Sequence, residues 1–180
     1  RRNFISGLAE GVKYGVIADA EFFNFLERCL PQILAQNPNY LLPAIRRSCE
    51  IKAQVVQEDE REVGRRKILN YGHTLGHALE AATFYRRYLH GEAISIGIAF
   101  AARLAYDLDL CDQKTVQRQE TLLARAGLPI SLPKNSPAEI LEAMSHDKKV
   151  KEGEMHYILA DQIGHVLIRK VKASQIRKLL

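Results

Sequence analysis

The sequence predicts a mainly α protein: a multi-helix bundle with one small β-hairpin near the C-terminus. Three observations lead there. Apolar residues recur at helical spacing through most of the 180 residues, between Gly, Pro and Asn breakers. The stretch Gly91 to Leu108 is apolar on nearly every face, which marks a helix buried in the centre of a bundle. Late in the chain, Met155-His156-Tyr157-Ile158-Leu159 and Val166-Leu167-Ile168-Arg169-Lys170-Val171 flank Asp161-Gln162-Ile163-Gly164 and read as a hairpin.

A first helix is expected from about Ile5 to Val16. A second follows Asp19, a suitable N-cap, with Phe22, Phe23, Leu26 and Leu30 at helical spacing. Asn37-Pro38-Asn39 breaks it. A long third helix is expected from near Pro43, which suits a first turn, to about Glu62. Gly64 interrupts, and a fourth helical stretch covers Arg66 to Ala82. After the tyrosine-rich turn Tyr85 to Tyr88 comes the apolar helix, then another over Lys114 to Ala126, stopped by Gly127-Leu128-Pro129. Ser136-Pro137 opens a short helix, with Glu139 at capping-box spacing. A last short helix begins near Ser174. No repeat, linker or low-complexity tract divides the chain, so residues 1–180 read as one domain.

Composition narrows the classes. At 47% hydrophobic and 26% charged the chain is globular, not disordered or fibrous. The longest uncharged apolar run, Ala93 to Ala102, is far short of the roughly 18 to 20 residues of a membrane span. No membrane partner is expected. The formal charge of +5 is spread over pairs such as Arg46-Arg47 and Lys148-Lys149, with carboxylates between them. That balance suits an anionic small molecule, and no aromatic ladder offers itself to nucleic acid. Cys29, Cys49 and Cys111, odd in number and far apart, fit a reducing, cytoplasmic setting. The N-terminus shows no signal-peptide pattern, and the absent initiator Met suggests a chain cut from something longer.

On a continuous helical grid Glu62, Arg66, Asn70, His73 and His77 share one face, opposite Ile68, Leu75 and Leu79. Five different functional groups make a poor solubility stripe. Gly72 and Gly76 weaken such a helix by about 1 kcal/mol each, so a close backbone or ligand should compensate. His73 and His77 at i, i+4 are spaced to point at one site, and His90 precedes Gly91-Glu92 near a helix N-terminus. Glu10 adds a carboxylate on the first helix with Lys13 three residues on. Two His and one Glu form a zinc set with an open position, although Glu10 and Lys13 also fit a surface ion pair. On the third helix, Ile45, Cys49, Lys52 and Val56 fall on one stripe, which places Lys52 among core positions. It either snorkels outward or faces a buried anion. Lys148 and Lys149, in a His-Asp-Lys-Lys turn, read by default as a solvated charge run.

Gly7-Leu8-Ala9-Glu10-Gly11-Val12-Lys13-Tyr14-Gly15, Asn70-Tyr71-Gly72-His73-Thr74-Leu75-Gly76-His77-Ala78, His90-Gly91-Glu92-Ala93 and Asp147-Lys148-Lys149 occur in that order. Together they resemble the C-terminal half of 3-dehydroquinate synthases, over essentially the whole chain. The resemblance implies a lyase that converts 3-deoxy-D-arabino-heptulosonate 7-phosphate to 3-dehydroquinate and phosphate in the shikimate pathway, using NAD+ and a divalent metal, Zn2+ or Co2+. It implies Glu10, His73 and His90 as metal ligands. Lys13, Lys52, Arg66, Asn70 and His77 would contact the substrate or its phosphate, with Lys148 or Lys149 at its carboxylate. Glu62, His77 and Lys13 would be catalytic. His77 then need not bind metal and serves the substrate or proton transfer instead. The family's N-terminal NAD-binding domain has no counterpart here, since no glycine-rich loop follows a strand, so the chain alone should be inactive. The full enzyme would be a cytoplasmic homodimer. Rival readings are another sugar-phosphate cyclase, a metal-dependent alcohol dehydrogenase, a metal phosphohydrolase built on His146-Asp147, and a non-catalytic helical module.

Overall fold

In the computed structural model, which describes residues 1–61, 64–132 and 154–180, three helices come first: α1 (Arg2–Ala18), α2 (Ala20–Leu34) and α3 (Pro38–Glu58). A 3-10 helix (Arg65–Asn70) leads into α4 (His73–Ala82), α5 (His90–Asp107) and α6 (Gln113–Arg125). Strands β1 (Glu154–Gln162) and β2 (His165–Lys172) and the short α7 (Ala173–Leu179) close the chain. The expected helical bundle with a C-terminal hairpin is what forms.

α5 is its axis. Ile94, Ile96, Ile98 and Leu104 are at most 1% exposed, and α5 packs against α1, α4, α6, β1 and α7. A helix apolar all round has no side to give to water, so its neighbours must surround it. β1 and β2 pair antiparallel from Glu154↔Lys172 to Gln162↔His165. The turn is tighter than the sequence suggested, because the strands take in Asp161 and Gln162 and leave Ile163-Gly164 at the tip. Gly164, at φ 92°, donates its N–H to Val16 O at 2.8 Å and fastens the tip to the end of α1. Asp19 caps α2 as expected, its Oδ1 accepting from Phe22 N at 2.8 Å.

Three expectations need correction. The third helix starts at Pro38, not Pro43, because Asn37 Oδ1 accepts from Asn39 N and Pro38 supplies the first turn. It also ends at Glu58. Its buried stripe is Ala44, Ile51 and Val55, one position away from the expected one, so Ile45, Cys49 and Lys52 are exposed. That stripe belongs to a helix packed against α1, α2 and the 3-10 helix, with Ser48 facing Gly11 of α1. The fourth stretch is not one helix. It breaks at Tyr71-Gly72, where Gly72 takes φ 76° and lies against α5. A Cβ on Gly97 would stand 1.9 Å from Gly72 O, and one on Gly76 would stand 2.6 Å from Ile94 Cδ1. This close approach is the compensation that the helix-weakening glycines called for. Tyr71 plugs the break from inside, its hydroxyl donating to Gln119 Oε1 at 2.8 Å. The single face running from Glu62 to His77 therefore does not exist as one helical grid. The helix expected at Ser136 lies outside the described residues.

Candidate metal centre

Two contacts between α1 and α5 bring the donors together. Arg2 grips Glu92 with Nε and Nη2, each at 2.7 Å, while Glu92 also accepts from Leu89 N at 2.9 Å. Glu92 thereby caps α5 and ties its first turn to α1. Four residues after Arg2, Ser6 Oγ accepts from Gly91 N at 3.0 Å, and a Cβ on Gly91 would stand 1.8 Å from Ser6 O. One turn beyond Ser6, α1 presents Glu10 beside His90, the first residue of α5. The break at Gly72 aims the first turn of α4 at the same place.

Donor atoms of Glu10, His73 and His90 lie within 4.8 Å of one another. The ring of His73 lies 5.2 Å from that of His77 and 5.5 Å from that of His90, centroid to centroid. His73 Nδ1 sits 3.0 Å from Tyr71 O. A carbonyl only accepts, so Nδ1 carries the hydrogen and Nε2 keeps its lone pair. Nε2 faces Glu10 Oε1 at 3.6 Å, and that oxygen is buried without a hydrogen-bond partner. Two electron-rich atoms held face to face need a cation between them. Ligands about 2.0–2.2 Å from a tetrahedral zinc stand roughly 3.4 Å apart, so the spacing fits. Two imidazoles and a carboxylate are also the right donor chemistry for zinc or cobalt.

Electrostatics prepares the donors. Lys13, 3% exposed, donates to Leu69 O at 2.8 Å and pairs with Glu10 Oε2 at 2.8 Å. The pair is buried, not the surface bridge that spacing also allowed. Burial opposes charge on Glu10, but Lys13 and His73 outweigh it and hold its carboxyl below the usual range. Burial lowers Lys13, with nearby Lys52 adding to the effect against Glu10. His73 is pushed down to about 4 by burial first and by Lys13 second, so it is neutral near pH 7. Burial and the Glu10 carboxylate together push the Tyr14 hydroxyl well above its usual range.

Glu10, Lys13, His73, His77 and His90 thus converge, and Lys52 is close enough to act on Lys13. Lys52 is exposed, so the buried-stripe argument for it fails; a solvent-facing lysine at the rim remains. Arg66 points its Nη1 at Glu60 O, 2.9 Å away, and its own N–H is held by Asp59 Oδ2. Asn70 ends the 3-10 helix beneath the break. Glu62, Lys148 and Lys149 lie outside the described residues. Sequence reasoning missed Glu80, whose Oε1 lies 3.1 Å from His90 Nδ1. Its signal was available: it continues the His73, His77 spacing by three residues. The Tyr71 carbonyl had no such signal, being backbone. A cavity of about 320 Å³ between α1, α2 and α3 includes Glu10 in its wall, but Leu8, Leu26, Leu30 and Ile45 make it too apolar for an anionic substrate.

Residues 7–150 match the family model described as 3-dehydroquinate synthase C-terminal. The chain is 52% identical over 166 residues to a 3-dehydroquinate synthase of Rhodopirellula baltica, which covers 92% of this chain and 44% of that protein. It is 44% identical to one of Caldanaerobacter subterraneus, covering 100% of this chain and 51% of that protein. The chain spans about half the length of the curated relatives it matches. Among solved structures it superposes on 2-epi-5-epi-valiolone synthase of Streptomyces hygroscopicus with NAD+ and Zn2+ bound, at TM-score 0.88 and 26% identity over 99% of this chain and 50% of that one. It also superposes on 2-deoxy-scyllo-inosose synthase complexed with carbaglucose-6-phosphate, NAD+ and Co2+, at TM-score 0.82 and 25% identity over 99% of this chain and 52% of that one.

Proposed function

The chain belongs to the 3-dehydroquinate synthase family, and from that premise we propose that residues 1–180 are the metal- and substrate-binding half of such an enzyme. The reaction is conversion of 3-deoxy-D-arabino-heptulosonate 7-phosphate to 3-dehydroquinate and phosphate. The observation that carries the metal assignment is the slot between His73 Nε2 and the orphaned Glu10 Oε1. Glu10, His73 and His90 hold Zn2+ or Co2+, and an NAD-binding half outside this chain supplies the hydride acceptor. The neighbours with NAD+ and Zn2+ or Co2+ support that pairing.

When bound, a metal held by Glu10, His73 and His90 would polarise substrate oxygens, and NAD+ would supply the reversible oxidation that acidifies the C–H beside the leaving phosphate. The chain's own residues do the rest. Lys13 keeps Glu10 ionised and has one further N–H to offer an anionic group. Lys52, at the exposed rim, meets the phosphate or carboxylate with Arg66 and Asn70. His77, exposed beside His73 and His90, takes and returns a proton. Glu62 joins as a further acid/base, and Lys148 or Lys149 pairs with the substrate carboxylate. Holding both ends of the opened substrate promotes the final ring closure. A cytoplasmic homodimer acting on a phosphorylated sugar acid, without nucleic acid or membrane partners, completes the reading; among the described residues no helix is long and apolar enough to cross a membrane.

Other sugar-phosphate cyclases share the fold. The 44–52% identity to dehydroquinate synthases, against 25–26% to the cyclases, supports the first substrate. The test is phosphate release from the heptulosonate phosphate by the protein that joins this chain to its NAD-binding half. Release should require both NAD+ and Zn2+ and should be lost in His73→Ala. Turnover that ignores a metal chelator overturns the proposal.

A further inference from the structure

Glu80 is a buried carboxylate to which the proposed reaction gives no task. It lies on α4, three residues after His77 and seven after His73, on the same face, and is 8% exposed. Burying a carboxylate is unfavourable unless it is paired. Among the described residues its partner is His90 Nδ1, at 3.1 Å.

We infer that Glu80 is a positioning residue for the metal centre: by accepting the Nδ1–H of His90 it fixes the ring so that Nε2 faces the divalent cation. This rests on reading Glu10, His73 and His90 as the set that holds the cation. His90 has more need of such a hold than His73. The His73 side chain is 12% exposed and fixed by packing and the Tyr71 carbonyl, whereas that of His90 is 50% exposed at the very start of α5. The two imidazoles are thus prepared alike by unlike acceptors, one a backbone carbonyl and one a carboxylate. The carboxylate also makes the imidazole a better donor. His77, Glu80 and His90 have donor atoms within 4.8 Å as well. The contact between Glu80 and His90 is, however, of hydrogen-bond length, and a protonated Nδ1 has no lone pair for a second ion.

Cobalt(II) titration of the full chain, read by its ligand-field absorption and by chelator competition, tests this. Glu80→Leu should weaken cobalt binding by about 10- to 100-fold and alter the spectrum, and Glu80→Gln, which keeps an acceptor oxygen, should weaken it less. The metal-free chains should unfold no more easily than the parent. In a His90→Ala background, Glu80→Leu should have no further effect, because Glu80 acts through that ring. Unchanged affinity and spectrum in Glu80→Leu, or an additive loss in the His90→Ala background, overturns the inference. So does loss of a second, distinct cobalt from the parent. If the parent binds no cobalt, or binds it undiminished in His73→Ala, the metal-centre reading itself fails.

Discussion

Glu10 and Lys13 look like an ordinary i, i+3 ion pair until their surroundings are counted. One carboxylate oxygen is held by the lysine, and the other is left bare opposite a neutral imidazole. The arrangement stores an unmet electrostatic demand, and a cation resolves it. The neutral state of His73 has a consequence for the metal-free chain. Its pKa falls from about 6.5 unfolded to about 4 folded, because burial disfavours the imidazolium. Between those values the unfolded chain binds more protons, so stability is complete above pH 6.5 and is lost as pH falls toward 4. Urea midpoints at pH 7 and pH 4.5 should show the parent losing about 2–3 kcal/mol more than His73→Asn. Equal losses would place His73 in a more polar setting than its 12% exposure implies.

At the scale of elements, glycine decides where the site forms. α4 and α5 meet at Gly72, Gly76 and Gly97 with no room for a side chain. Gly97→Ala places a methyl against the Gly72 carbonyl, backbone that cannot swing away, and should destabilise by about 3 kcal/mol or more. It should also weaken zinc binding, because Gly72 sets the start of α4. Gly7→Ala is the internal control: nothing lies within 4 Å of the added methyl, and it should stabilise α1 by up to about 1 kcal/mol. Calorimetric melting of both variants checks the pair; similar shifts would refute the packing argument. These elements also mark the limit of what the sequence discloses. Helix α5, the Asp19 cap and the hairpin were legible because periodicity and composition are local. The break at Tyr71-Gly72 was not, because the need for left-handed backbone there comes from α5, more than twenty residues on. The α3 stripe was misread by one position for a similar reason: both candidate stripes hold apolar residues, and only the packing of α3 against α1, α2 and the 3-10 helix chooses between them. The family resemblance implied Glu10, His73 and His90 as a metal set, where spacing alone pointed to His73 and His77, and the acceptors behind the two imidazoles emerge only from the folded chain.

For the molecule as a whole, metal binding and turnover should separate. Every proposed ligand lies between residues 10 and 90 on helices fixed against α5, so the 180-residue chain should bind close to one zinc per chain. No dinucleotide site follows from these elements, so the chain alone should release no phosphate even with NAD+ supplied. Calorimetric zinc titration and a phosphate assay on the same preparation check both halves of that statement. Turnover by this chain, with longer enzyme excluded, would overturn the division of labour.

The bond from Gly164 to Val16 joins residues nearly the whole chain apart, and Arg2 reaches across half of it to Glu92. Helix α1, which carries Glu10 and Lys13, is therefore anchored at one end by the middle of the chain and at the other by its last hairpin. Closing such distant loops is slow on the folding timescale, since the entropy of closure is lost before any contact returns it. During synthesis α1 leaves the ribosome well before the hairpin, so it gains its second anchor late. Until then the site's carboxylate and lysine belong to a helix held at one end only.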